Sequence, residues 1–278
     1  MHSLYTIYVE MNPKLFSEDF SHYNGSETTL RHAQLRMFEI LKCVSDICNR
    51  HNIPYWIDYG TLLGAVRHQG FIPWDDDLDI SILYTDYDKL SLILSRELPE
   101  HFKFQDWRNE KKLMFKVAKV RDVHSYYDDG LTKRGEMKYQ GIFIDIFPVQ
   151  KSPSFAIKSK IDFIYSRVFR RLRGFNNDKI EYFISIMLWP FANFLVFLSH
   201  LMTIFQKKKL VSNIYGGLNL PISHDLNDIF PLSEILFEGE KFKAPRNFDK
   251  ILKTIYGDYM LIPPVEKRIT HANKIEID

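Results

Sequence analysis

The sequence predicts an α/β (α+β) fold: a mixed sheet flanked by helices, with a helical apolar insertion. Three observations support this. Strand-like alternation and helix-like periodicity are interleaved between residues 30 and 150. Some strand segments follow one another too closely for repeated helical crossovers, so the sheet is not wholly parallel. An apolar run at 182–205 holds no Asp or Glu and is bracketed by basic residues, which sets it apart from the chain before it. At 278 residues, 45% hydrophobic and 26% charged, the composition is that of a globular chain able to bury a sizeable core.

The first helix is read over Leu30 to Cys48. Leu30, Ala33, Met37, Leu41, Val44 and Cys48 recur there at helical spacing, behind Ser26 as a plausible N-cap. "IPYWIDYG" (53–60) reads as a strand ending at Gly60, and "TLLGAVRHQG" (61–70) as a short helix closed by Gly70. A strand at 77–83, a helix at 84–98 and a strand at 112–120 follow, then "GIFIDIFPV" (141–149), a strand that Pro148 is expected to terminate. A hairpin is expected around "LFEGEKFKAP" and a helix at "FDKILKTIYG". The chain thus divides into a catalytic-type core at 26–150, a basic and apolar helical segment at 151–215, and a C-terminal part at 216–278 that packs on the core.

A net charge of +2 gives no general electrostatic case for nucleic-acid binding. Cys43 and Cys48, five positions apart on one helix, do not share a face and read as reduced core residues of an intracellular protein. The first residues lack the basic, apolar and small-residue succession of a secretory leader, so a cytoplasmic location is expected.

"GFIPWDDDLDISI" (70–82) crowds four aspartates against an apolar alternation. If 77–82 is extended, Leu78, Ile80 and Ile82 face one way and Asp77, Asp79 and Ser81 the other. Two carboxylates with Cα atoms roughly 6.6 Å apart can then reach one divalent cation. Without a cation their repulsion raises a pKa. The strand at 141–149 repeats the pattern with Asp145 as its only charge. Three oxygen ligands, Asp77, Asp79 and Asp145, suit Mg²⁺ or Mn²⁺, which leave positions for water and substrate phosphates. A calcium loop starting at Asp75 fails, because its sixth position is Ile80 and its twelfth is Asp86. A solvated acidic turn accounts for Asp75 and Asp76 but not for Asp77 and Asp79, which sit inside the apolar alternation.

Upstream, Gly60 and Thr61 at a strand-to-helix junction offer backbone N–H groups and a hydroxyl to an anion. Arg67 and His68 could add positive charge, although Arg67 could equally pair with an aspartate and His68 serve as a cap. Lys116 and Lys119 are weaker candidates for phosphate contacts. These residues together describe a site that handles phosphate through a metal.

"YGTLLGAVRHQGFIPWDDDLDISI", with "GIFIDIFP" and "YGDYMLIPP" (256–264), resembles the LicD family, which includes the fukutin-related proteins and belongs to the nucleotidyltransferase-fold superfamily. The superfamily pattern falls on Gly60, Thr61, Asp77, Leu78 and Asp79, and its third carboxylate on Asp145. The likeness runs over about 30–150 and resumes near 235–270, leaving 154–230 without a matching motif. It implies a nucleotidyltransferase-like fold and a phosphotransferase that moves a phosphorylated small group from a CDP-linked donor to a glycan hydroxyl. In bacterial members the group is commonly phosphocholine from CDP-choline, and the acceptors are lipopolysaccharide, teichoic acid or other cell-surface polysaccharide precursors; relatives transfer ribitol phosphate.

On this reading Asp77 and Asp79 hold Mg²⁺ at the donor's diphosphate. Asp145 is a further ligand or the group that orients and deprotonates the hydroxyl, and Gly60, Thr61 and Arg67 steady the phosphates. A quaternary ammonium would be held by aromatic faces, with Trp74, Trp56, Tyr59 and Tyr139 as candidates. The rivals are a nucleotidyltransferase that releases pyrophosphate, a metal-dependent glycosyltransferase and a non-catalytic scaffold.

The run at 182–205 is long enough to span a bilayer, but Pro190 interrupts it, and Ser185, Asn193, His200 and Thr203 fall near one face. It reads in three ways: packed on the core, spanning, or lying at the membrane surface through 167–209, with basic residues on anionic headgroups. The last would suit a lipid-linked acceptor at the inner face of the cytoplasmic membrane.

Overall fold

Helix α1 (Thr29–Arg50) is capped two residues beyond the expected Ser26, because Thr28 holds the extended backbone and accepts the Arg31 N–H at 3.2 Å. Its inner stripe, Ala33, Met37, Ile40, Leu41, Val44, Ile47 and Cys48, is buried. The computed structural model describes residues 18–174, 179–217 and 222–277. The N-terminal residues read as lacking a secretory leader lie outside that range.

Strand β1 (Tyr55–Ile57) is shorter than the expected 53–60, because Asp58 caps the next helix, α2 (Tyr59–His68), by accepting the Tyr59 N–H at 3.0 Å. Gly60 and Thr61 therefore stand in the first helical turn and not at a strand end. Strand β2 (Asp79–Leu83) starts two residues later than expected and leads into α3 (Tyr84–Glu97). Strands β3 (Phe102–Gln105), β4 (Ala118–Asp122) and β5 (Ser125–Asp128) follow. Of the strand expected at 112–120, only the end is extended; residues before Ala118 form a loop whose Lys116 N–H donates to the Gly216 carbonyl at 2.7 Å.

Strand β6 (Phe143–Lys151) runs through Pro148 instead of stopping there. Its β2 edge is parallel, from Asp79 beside Asp145 to Leu83 beside Val149. Its other edge pairs antiparallel with β4 up to Ile146 and with β7 (Leu210–Asn213) from Val149 onward. Pro148 falls in the gap between those two partners, where a missing N–H interrupts no ladder bond. The main sheet is thus mixed, in the order β1-β2-β6-β4-β3, with β7 on the later half of the β6 edge and β8 (His224–Asp225) beside β7. Ile80, Ile82, Ile144, Ile146 and Val120 point to the core shared with α1, α2 and α3. The alternation sends Asp79, Asp145 and Lys119 to the opposite face.

Helices α4 (Phe155–Leu172) and α5 (Lys179–Ile204) form a pair outside that sheet. A wholly buried ion pair holds α4 down: Lys158 Nζ lies 2.8 Å from Asp162, whose other oxygen accepts the Ser166 hydroxyl at 3.0 Å and the Gly216 N–H at 2.8 Å. The hairpin of β9 (Ser233–Phe237) and β10 (Glu240–Ala244), then α6 (Phe248–Tyr256), come where the sequence placed them. Strand β11 (Lys274–Ile277) returns to pair with β5.

Replacing Lys158 by Met should cost roughly 3 kcal/mol, because it leaves Asp162 buried without its counter-charge. The check is the urea midpoint at unchanged slope; a midpoint within error of the parent would show that the pair does not anchor α4.

Candidate active site

The β2–β6 register places Asp79 directly beside Asp145, and the β6–β4 register places Lys119 on the far side of Asp145. Lys119 Nζ lies 2.6 Å from Asp145 Oδ1 and 3.4 Å from the centre of the Phe143 ring. Local bonds lock the neighbouring backbone. The Asp79 N–H donates to Thr61 Oγ1 at 2.7 Å, the Asp145 N–H to the Leu78 carbonyl at 2.7 Å, and the Asp58 N–H to the Asp79 carbonyl at 3.1 Å.

Asp75 and Asp77 approach this group from the loop before β2. A β-carbon on Gly60 would sit 2.8 Å from Asp75 Oδ2 and 4.0 Å from Asp77 Oδ1, so the glycine makes room for carboxylates and not only for a phosphate. Burial pushes the carboxyls of Asp75, Asp77 and Asp79 above their usual range, and neighbouring carboxylates push them further. Among the described residues, Asp75, Asp77 and His271 bring ligand atoms within 4.8 Å of one another. That set differs from the one expected: Asp75 and His271 join Asp77, while Asp79 and Asp145 stand beside the group. Hard oxygen donors whose mutual repulsion raises their pKa values are chemically suited to a divalent cation.

Asp76 serves a different purpose. Fully buried, it accepts the Tyr127 hydroxyl at 2.8 Å, the His271 N–H at 3.0 Å and the Ala272 N–H at 2.6 Å, and its Oδ1 lies 3.1 Å from His271 Nδ1. It thereby fixes a residue 195 positions away against the carboxylates. Sequence spacing carries no signal for that contact.

Two cavities meet here. One, of about 470 Å³, lies along Gly60, Trp74, Asp75, Asp79, Tyr256 and Lys267. The other, of about 500 Å³, lies along Phe115, Lys119, Arg121, Tyr127, Met137 and Phe143. The residues common to both are Asp77, Asp145 and His271.

Several expected residues stand elsewhere. The Arg67 guanidinium donates to the carbonyls of Tyr259 at 2.9 Å and Leu261 at 3.1 Å and to His68 Nε2 at 3.0 Å; neither Arg67 nor His68 lines either cavity. Burial brings Arg67 down to about 10 and His68 to about 3, so His68 is neutral. Lys116 also lies off both cavities, with its ammonium 2.7 Å from the Tyr165 hydroxyl against α4, and burial lowers it to about 8. Trp74 does line a cavity, but the Arg268 guanidinium already sits 4.9 Å from its ring centre. Tyr59 lines the same cavity. Trp56 instead donates to Asp58 at 3.0 Å in the core, and Tyr139 borders a separate groove. Arg121, Tyr127 and His271 are among the lining residues that sequence reasoning missed.

The chain is similar to several known proteins. The LicD/FKTN/FKRP nucleotidyltransferase domain family matches residues 52–178. The chain is 28% identical over 265 residues to the lipopolysaccharide cholinephosphotransferase LicD of Haemophilus influenzae, covering 87% of this chain and 96% of that protein. It is 31% identical over 96 residues to the human ribitol-5-phosphate transferase FKTN, covering 33% of this chain and 21% of that one. Terminal uridylyl transferase 4 from Trypanosoma brucei, solved with bound GTP, aligns at 12% identity and a TM-score of 0.22 over 60% of this chain and 46% of its own, too slight a likeness to argue from. Carboxylates crowded beside the helix start at Gly60, in a chain 28% identical to that LicD over nearly its whole length, lead to one conclusion: residues 52–178 carry the match to the LicD/FKTN/FKRP nucleotidyltransferase domain family.

Proposed function

We propose that the chain transfers phosphocholine from CDP-choline to a hydroxyl of a cell-surface glycan precursor. The observation that supports this best is the meeting of two cavities at Asp77, Asp145 and His271, where a donor in one and an acceptor in the other would bring their reacting atoms together. The cavity along Asp75, Asp79 and Trp74 takes the donor, and the one along Phe115, Arg121 and Phe143 the acceptor. The named activities of the Haemophilus influenzae and human relatives support a phosphorylated small group as cargo and a glycan as acceptor. Those relatives differ in the group they are named for, so CDP-linked polyol phosphates are the second reading.

Asp75, Asp77 and His271, with Asp79 beside them, would hold Mg²⁺ or Mn²⁺, which supplies charge neutralisation at the donor's diphosphate. Asp145 orients the attacking hydroxyl and accepts its proton. Lys119, ion-paired to Asp145, fixes that carboxylate's position. The hydroxyl oxygen bonds to the phosphorus that carries choline, the bond from that phosphorus to the bridging oxygen breaks, and CMP leaves. Tyr59, Phe147 and Tyr256 offer aromatic faces to a quaternary ammonium near the acidic cluster, on the wall that also holds Trp74. The acceptor is carried on a lipid at the inner face of the cytoplasmic membrane.

Replacing Asp79 by Asn should lower transfer by roughly a hundredfold or more. The sign for stability is opposite. The folded-state pKa of Asp79 is raised by burial and by Asp77 and Asp145, so its charge opposes folding above the ordinary carboxylate pKa, and the Asn variant should unfold no earlier than the parent in a thermal scan at neutral pH. Activity retained in Mg²⁺ would remove Asp79 from the site. A second experiment follows CMP release from CDP-choline and CDP-ribitol, with and without glycan acceptor and with the metal chelated. Turnover of CDP-choline that chelation abolishes is expected; preference for CDP-ribitol would overturn the choline assignment, and pyrophosphate from CTP would point to nucleotidyl transfer instead.

A further inference from the structure

Helix α5 is turned inside out relative to an ordinary surface helix. The residues it buries are Ser185, Ala192 and Ser199, seven apart, with Trp189 and Val196 filling the same stripe toward α4. Its outward side carries Phe183, Met187, Phe191, Phe194 and Phe197, each more than half exposed, as is Phe163 of α4. Asn193 and His200, read from the sequence as part of a polar stripe with Ser185, are exposed as well. A soluble monomer's largest apolar patch is typically about 300–600 Å² and commonly functional.

By length and composition α5 could cross a bilayer. Its attachments argue against that. Near its start Glu181 pairs with Arg171 at 2.7 Å, and near its end Ser199 accepts the Tyr215 hydroxyl at 2.8 Å. Between those points it packs on α4, which is itself held to the catalytic domain by Asp162, Tyr165 and Arg173. A helix laid along a helix that is fixed to a water-soluble domain cannot cross the membrane without dragging that domain in. It can lie in the membrane plane with its outer face in the acyl boundary. Charge favours the same arrangement. Exposed Lys179 stands at one end of α5 and exposed Lys207, Lys208 and Lys209 follow the other, while Arg167 lies on the outside of α4. No acidic residue occurs from 182 to 209.

We propose that the outer face of the α4–α5 pair docks in the plane of an anionic lipid bilayer, as a monotopic anchor with the basic residues at both ends on the headgroups. The anchor adds a geometric consequence to the function proposed above, though it does not depend on the donor's identity. The Arg173 guanidinium donates to the carbonyls of Trp107 at 2.8 Å, Glu110 at 2.5 Å and Lys111 at 3.1 Å, and so ties the loop that leads into Lys112–Val117, one wall of the second cavity, to the end of α4. That wall is thereby tied to the docked helix pair, which would present a lipid-borne acceptor to it.

The test is co-sedimentation of the whole protein with vesicles of phosphatidylcholine alone or mixed with phosphatidylglycerol, without any donor present. Binding to the mixed vesicles, weaker binding to the neutral ones and release by alkaline carbonate are expected. A K207Q/K208Q/K209Q variant should bind the mixed vesicles roughly a hundredfold more weakly, about fivefold per lysine. An F191E/F194E variant should lose binding while keeping the parent's circular dichroism and its CMP release in solution. Absence of binding by the parent, retention after carbonate, or undiminished binding by F191E/F194E would overturn the proposal. So would a dimer of the parent in light scattering that F191E/F194E converts to monomer without any vesicle binding. Vesicle binding without CMP release from CDP-choline would sink the donor assignment alone and leave the anchor standing.

Discussion

The placement of Asp79 beside Asp145 in a parallel strand pair is the constraint around which the structure is arranged. Two carboxylates side by side on a buried face, with Asp75 and Asp77 joining them from the preceding loop, repel one another and lose hydration together. The fold does not relieve this by separating them. Thr61 grips the Asp79 amide, the Leu78 carbonyl grips the Asp145 amide, and Lys119 provides the one ammonium bonded directly to the group among the described residues. Crowding of this kind is what protonation or a bound cation would relieve. The start of α2 is shaped to the same carboxylates. Tyr59 adopts a left-handed φ of +45°, a conformation that costs a non-glycine residue about 1–3 kcal/mol. It is held by the Asp58 carboxylate at its N–H, by Asn213 at its hydroxyl and by the edge of Phe147. That bend brings Gly60 against Asp75 and Thr61 under Asp79.

The C-terminal segment completes what the first part of the chain cannot. Arg67, which by sequence alone could have been a phosphate ligand, is consumed in satisfying the carbonyls of Tyr259 and Leu261. A cation sunk among carbonyls is a structural clamp, and here it fixes the segment that follows α6. Asp76 then captures the turn at His271, and β11 closes on β5. Tyr256, Lys267, Ile269 and His271 consequently become a wall of the first cavity. Arg67 reads the "YGDYMLIPP" stretch through two main-chain carbonyl oxygens, while Tyr256 at its start lends its side chain to the cavity wall.

Strand and helix periods made the centre of this arrangement legible in advance. Alternation at 77–82 and 141–147 separates core residues from the face bearing Asp79 and Asp145, because the pleat has a period of two and burial enforces it. The errors have physical causes. Lys116 and Arg67 carry the right charge but are bound by Tyr165 and by two carbonyls, partners that no local pattern announces. His271 lies 195 residues from the Asp76 that positions it. Strands β3, β5, β7 and β11 are four residues each, too short for alternation to register. Pro148 misled in the opposite direction: its effect depends on whether its edge has a partner at that point, a property of the assembled sheet and not of the strand.

Helix α4 connects these levels. Its inner face carries the Lys158–Asp162 pair and Tyr165, which bind the turn at Gly216 and the Lys116 loop, and its last residues hold the carbonyls of the 107–111 loop. Gly216 sits at φ +83° with its amide on Asp162, its carbonyl on Lys116 and the Tyr165 ring within 3.1 Å of where a β-carbon would stand, so helix and loop meet there without slack. The cavity wall at 112–117 is therefore positioned from α4 as well as from the sheet, which it joins at Ala118 and meets through Gln105 and Glu110. An element that positions one wall of the site while carrying an apolar outer face would, on the proposed function, couple where the enzyme sits to what can enter it: a glycan presented from that side would meet Asp145 across the Phe143 ring, and the donor would meet the same carboxylate from the side of Gly60 and Asp75.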